Sequence, residues 1–235
     1  MHLMRAGIIT AVQLPLLLML LRSDRNDGGK NLFKQQRWSG GDAALAMLSF
    51  DAFLWLCILL AHVAGFRDTM DENSALLQLC MLLIVVGLFK FKYKESMSAL
   101  GFSNQSFARW VFSLVVAISL ITAAIIDFRL GGGHFRKVTN DIQDAFGAIV
   151  IAPIAEEAVA RGILYSPYRK KYGVVVATLV TAALFGTMHL TTPAPLAIGI
   201  ALAILYEKSQ SFTLVVAGHS LLNAVAFIIA WRFPT

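Results

Sequence analysis

Charge is what this sequence has least of. Of its 235 residues, 14% are charged and 57% are hydrophobic. An ordinary soluble domain carries about 25% charged residues. That shortfall argues against a solvated globular domain and for a membrane protein. Cysteine is scarce too. Cys57 and Cys80 both fall inside apolar blocks and read as small buried hydrophobes rather than as a disulfide. The chain has no Gly-rich phosphate loop, no haem-type cysteine pair and no HExxH helix. No serine stands in a G-x-S-x-G elbow. Lys and Arg outnumber Asp and Glu by 20 to 14. They stand between apolar blocks, not in a stripe interleaved with exposed aromatics. That excludes nucleic acid as the partner and fits the basic loops of a bilayer protein.

What the chain does have is apolar sequence in blocks long enough to cross a membrane. The expected fold is all-α: a polytopic membrane helix bundle of about eight transmembrane helices, forming one domain over 1–235. Span one is about Ala6 to Leu21, between Arg5 and Arg22. It resembles a signal peptide, but no A-x-A cleavage site follows, so a retained span is expected. Span two is about Ala43 to Ala64, span three about Ala75 to Phe91, and span four about Phe107 to Phe128. Leu100-Gly101-Phe102, in the basic loop between spans three and four, reads as a short interfacial turn. The glycine triplet at 131–133 breaks the pattern. Span five is about Ile142 to Tyr165, followed by the basic loop SPYRKKYG. Span six is about Val174 to Leu190, and the sequence TTPAP interrupts the chain after it. Span seven, about Leu196 to Leu205, is short and is expected to start inside that turn, to tilt, or to be partly re-entrant. Span eight is about Phe212 to Trp231. Lys and Arg concentrate in the loops after spans one, three, five and seven, which puts both termini outside and those loops in the cytoplasm.

Three sets of polar residues lie inside these apolar blocks. The first is in IAPIAEEAVARG, residues 151–162, where Glu156 and Glu157 are adjacent and Arg161 follows. Residues i and i+4 share a helix face, so Glu157 and Arg161 can pair. Glu156 is turned away by about 100° and has no partner in sequence. An acid in a span costs roughly 2.5 kcal/mol or more and marks a functional site by default. The second set is Phe185 and His189, in FGTMH. The third is His219 and Asn223, in HSLLN, one turn apart on one face. Taken singly, each has a plain reading: a packing histidine, an interhelical amide, a structural ion pair, or a proton-relay acid. Taken together, a carboxylate, two imidazoles and an amide describe amide hydrolysis. The carboxylate can deprotonate water, and the imidazole and amide can stabilise an oxyanion. A divalent metal is a further way to activate the water. His2, His62 and His134 lie near span ends or in loops and are assigned no role.

EEAVARG fits E-E-x-x-x-R, FGTMH fits F-x-x-x-H, and HSLLN fits H-x-x-x-N. Their order and spacing over about 144–228 resemble the CPBP intramembrane protease family. This is the CAAX-protease and bacteriocin-processing or ABI family, which includes type II CAAX prenyl endopeptidases. The resemblance implies a helical membrane endopeptidase with a water-accessible cavity between spans. Under it, Glu156 is the general base, supported by Glu157, and Arg161 pairs to an acid. His189 positions the water or binds a metal. His219 and Asn223 stabilise the oxyanion, or His219 is a further metal ligand. The implied metal set is Glu156, His189 and His219, holding Zn2+ or another divalent ion; a metal-free glutamate mechanism is equally consistent with the resemblance. Ala160 departs from the fuller motif, in which many members carry an aromatic residue before the arginine. The implied partners are the lipid bilayer and a peptide or protein substrate at the membrane. The expected location is the cell membrane of a bacterium, where prenylated tails are scarce and short peptides or precursor tails are better candidates. Two other classes compete: a non-catalytic membrane protein for bacteriocin immunity or signalling, and a small transporter with Glu156 in a proton relay. A scaffold has no need of the Glu and His set, and a transporter commonly shows a duplicated half, which is not evident here.

Overall fold

A computed structural model describes residues 38–63, 75–94, 101, 142–188 and 194–232. Spans one and four, the glycine triplet and His189 lie outside these residues. The described chain is helical, with no strand among the described residues. Helix α1 is Gly40–Val63 and α2 is Ala75–Gly87, which runs on into a π-helical turn, Leu88–Tyr93. Helix α3 is one rod in four parts: Ile142–Phe146, the π-helical Gly147–Ile151, Ala152–Glu157 and the π-helical Ala158–Tyr165. Helix α4 is Ser166–Met188, α5 is Ala194–Ser209 and α6 is Phe212–Arg232. Around α3 pack α2 on one side and α6 on another, while α4 lies along α5.

Local chemistry sets the helix starts. Ser39 and Asp42 form a reciprocal cap at α1: the Ser39 N–H donates to Asp42 Oδ2 at 2.8 Å, and the Asp42 N–H approaches Ser39 Oγ at 3.4 Å. Asp42 also pairs with Lys92, tying α1 to the end of α2. Ser211 caps α6, with its Oγ accepting from the Leu214 N–H at 3.3 Å. The Phe212 N–H, a donor with no partner inside the helix, donates to the Gly101 carbonyl at 3.2 Å. The turn expected at Leu100-Gly101-Phe102 thus reaches the start of the last helix through Gly101, which is in a turn and buried.

One expectation is corrected, the basic loop SPYRKKYG, which is helical from Ser166 and breaks only at Gly173. Lys and Arg are helix formers comparable to Leu, and Pro167 sits in the first turn, where its missing N–H is tolerated. The segment also has partners. Arg169 Nε donates to Glu207 Oε1 at 3.0 Å, and the Tyr165 hydroxyl donates to Glu207 Oε2 at 2.9 Å, so the start of α4 is fastened to the end of α5. Among the described residues one helix, Phe212–Ile229 within α6, is long and apolar enough to cross a membrane. Helix α5 begins at Ala194, inside the TTPAP turn, and has 16 residues. That is about 24 Å of helix, short of the roughly 30 Å hydrocarbon layer.

Gly173 has φ 86° and ψ 177°, a backbone region open essentially to glycine alone. Replacing it with alanine is expected to destabilise the fold by about 1–3 kcal/mol. Gly87, at the end of α2 with no atom within 4 Å of a built Cβ, is the control. Thermal unfolding in detergent should show a lower midpoint for Gly173→Ala and an unchanged or higher one for Gly87→Ala.

Candidate active site

The acidic pair sits in the short α-helical part of α3, between its two π-helical stretches. Such widened turns are uncommon and recur at functional sites. Glu157 and Arg161 are fully buried at 0% exposure, a placement that is costly unless the two charges are paired. Arg161 Nη1 lies 3.1 Å from Glu157 Oε2 and 3.2 Å from Oε1. Its Nη2 donates to the Gly199 carbonyl on α5 at 2.7 Å. That reach depends on close helix contact, since a Cβ on Gly199 would lie 2.9 Å from the Ala182 Cα on α4. The Arg161 guanidinium also stacks over the Phe185 ring, 5.7 Å from its centroid.

Helix α6 brings the third motif to the same place. His219 Nδ1 is 3.0 Å from Glu157 Oε1, and its Nε2 is 3.8 Å from Glu156 Oε2. The imidazole thus lies against both carboxylates, although these side chains leave the helix about 100° apart. Phe185 meets the His219 ring edge to face, with centroids 5.3 Å apart, so one phenyl ring contacts both Arg161 and His219. Asn223 Nδ2 donates to the Ala148 carbonyl at 2.8 Å, fastening α6 to the first π-helical stretch of α3. An amide nitrogen carries two hydrogens, so this bond does not exhaust it as a donor.

Of the six residues expected from sequence, Glu156, Glu157, Arg161 and His219 form one buried cluster, with Asn223 one turn further along α6. His189 lies outside the described residues. One participant was not anticipated. Gln78, on α2, donates from Nε2 to Glu156 Oε1 at 3.1 Å. The signal was present: Gln78 is the one amide in ALLQLCMLLIVVG, and a polar side chain in an apolar run is the same clue that singled out the other three sets.

Chemically, the cluster sets two carboxylates against one permanent cation. A carboxylate only accepts hydrogen bonds, so the Nδ1 facing Glu157 carries the proton. In the neutral imidazole Nε2, facing Glu156, is then the acceptor. Among the described residues no group of three His, Cys, Asp or Glu side chains could hold a metal ion. Of the set Glu156, His189 and His219, the two described members fit. Glu156 Oε2 and His219 Nε2 are 3.8 Å apart, a separation that two ligands each about 2.0–2.1 Å from one ion can have. A carboxylate on the far nitrogen, as Glu157 provides, commonly orients a ligating histidine.

Removing Arg161 would leave Glu157 as an uncompensated buried charge. Arg161→Met is expected to cost about 3–5 kcal/mol, read as a marked fall in the unfolding midpoint in detergent. A midpoint equal to wild type would mean that the pair contributes nothing to the fold.

No curated protein and no solved structure matches the chain. One family model does, that of the type II CAAX prenyl endopeptidase Rce1-like family, over residues 139–225. The matched segment runs from just before α3 to within α6 and contains Glu156, Glu157, Arg161, His219 and Asn223. Residues 139–225 of this chain are thus similar to the type II CAAX prenyl endopeptidase Rce1-like family, in line with the CAAX-protease resemblance of the three motifs.

Proposed function

We propose that this protein is an intramembrane endopeptidase that hydrolyses peptide bonds of membrane-associated or C-terminal-tail substrates. The observation that carries the reading is the meeting of Glu156, Glu157, Arg161 and His219 in one buried cluster, within a segment that matches a family of proteases. The whole chain is read as one membrane domain of about eight spans, in the plasma membrane of a bacterium.

In the proposed reaction Glu156 takes a proton from water, and the water oxygen attacks the peptide carbonyl carbon. His219, held by Glu157 through Nδ1, keeps Nε2 beside the reacting atoms. Glu157 is itself held by Arg161, so the orientation of His219 traces back to the buried ion pair. Asn223 supplies a donor to the oxyanion as charge develops on it, and His219 adds a second when Nε2 also carries a proton. The C–N bond then breaks, and the proton held by Glu156 passes to the departing amine. His189 completes the set by positioning the water or by ligating a metal. A divalent metal held by Glu156, His189 and His219 would supply Lewis-acid polarisation and a more acidic water.

The test is cleavage of a peptide-tail library by purified protein in detergent, with bound metal assayed on the same samples. Glu156→Gln and His219→Ala are expected to lower kcat by about 10²–10⁴-fold, the usual contribution of a general base. A metal bound to wild type and lost in His219→Ala would assign it to this site. Cleavage by Glu156→Gln at the wild-type rate would sink the proposal.

A further inference from the structure

The two carboxylates are held in different ways. Glu157 is gripped by a guanidinium, which fixes its direction and cancels its charge. Glu156 takes a hydrogen bond from a neutral amide, Gln78 Nε2, at 3.1 Å from its Oε1. A neutral donor fixes a carboxylate without cancelling its charge. With Oε1 engaged by Gln78, it is Oε2 that faces His219 Nε2, at 3.8 Å.

We propose that Gln78 is a positioning residue for hydrolysis, holding the Glu156 carboxylate with Oε2 turned toward His219 and the reacting water. The inference rests on the hydrolytic reading given above. Gln78 is 4% exposed in an otherwise apolar helix, where an amide is costly unless it is satisfied. Its orientation follows from chemistry, because a carboxylate cannot donate and the amide nitrogen must therefore face it. The other end of the amide points the same way. Gln78 Oε1 is buried with no hydrogen-bond partner among the described residues. An amide serving only to fasten α2 to α3 gains from satisfying both ends. Here the carbonyl end is an acceptor beside the general base, where it suits an O–H of the water that Glu156 activates. Gln78 also lies outside the segment 139–225 that matches the protease family. The site is thus completed by α2, which packs directly on the Ala152–Glu157 part of α3.

The groups around Glu156 define what the test must separate. Among the described residues they include Gln78 from α2, His219 from α6, and Glu157 and Arg161 from α3 itself. The experiment uses the full chain in detergent, with Gln78→Met and Gln78→Glu beside wild type and Glu156→Gln. Kcat and KM are measured on the peptide that wild type cleaves best, together with the unfolding midpoint. Methionine keeps the length of the side chain and loses both polar ends; glutamate keeps the shape and loses the donor. Loss of positioning is expected to lower kcat about tenfold or more in both variants. KM should stay within about twofold, because the peptide contacts are untouched. The unfolding midpoint of Gln78→Met should stay near that of wild type, because methionine keeps the packing. Gln78→Glu, which buries a second carboxylate beside Glu156, is expected to unfold earlier, so its kcat is taken per folded enzyme. A Gln78→Met enzyme with wild-type kcat would overturn the inference while leaving the hydrolytic reading intact, provided that Glu156→Gln is inactive. So would a loss of activity that only tracks the loss of folded protein. If wild type cleaves nothing, or Glu156→Gln cleaves at full rate, the hydrolytic reading fails and the role of Gln78 fails with it.

Discussion

A fully buried guanidinium is the constraint on which the rest of this structure depends. Arg161 has 0% exposure and sits in an apolar helix bundle. Such a charge is costly without a carboxylate beside it and acceptors for its hydrogens. Glu157 supplies the first and the Gly199 carbonyl one of the second. The carbonyl can come near because α5 crosses α4 with glycine against Ala182. Phe185 covers the guanidinium and also contacts His219. One buried cation therefore sets where α5, α4 and α6 lie relative to α3.

The other polar contacts follow the same logic. Lipid tails are as apolar as leucine, so in the bilayer proposed for this chain helices gain little from hiding apolar surface from one another. Their relative placement depends on close packing of small residues and on a few polar contacts. Here α2 reaches α3 through Gln78 and Glu156, α5 through Gly199 and Arg161, and α6 through His219 with Glu157 and Asn223 with Ala148. Each of these bonds involves a residue of the site or its immediate flank. The contacts that assemble the bundle are also the contacts that orient the chemistry. A further tie lies away from the site, where Arg169 and Tyr165 meet Glu207 at the junction of α3 and α4 with the end of α5.

Much of this was legible in the sequence, because this chain separates its polar from its apolar residues so sharply. The boundaries of α1 and α6 fall close to the expected spans, since apolar blocks ending in charge leave little latitude. The Glu157–Arg161 contact is a consequence of helical spacing alone. The helix over 166–172 was less legible, because a run of Arg and Lys resembles a loop until Arg169 is seen against Glu207. Gln78 was overlooked although a lone amide among leucines is a visible signal, since its importance lies in a partner that is 78 residues away.

The sequence by itself determined the composition class, the helical character and the set of chemical groups available. It also carried the three motifs, all of them within the segment 139–225 that is similar to the CAAX prenyl endopeptidase family. These are properties of spacing within single helices and of residue type, which need no knowledge of neighbours. Only the tertiary structure decided which groups meet. It placed His219 against both Glu156 and Glu157, gave the Ala148 carbonyl to Asn223, and brought Gln78 to Glu156 from a helix outside the matched segment. The physical reason is that the facing surfaces of packed helices are chosen by close approach and by polar atoms that must find partners. Those pairings join residues far apart in the chain, and no local period encodes them.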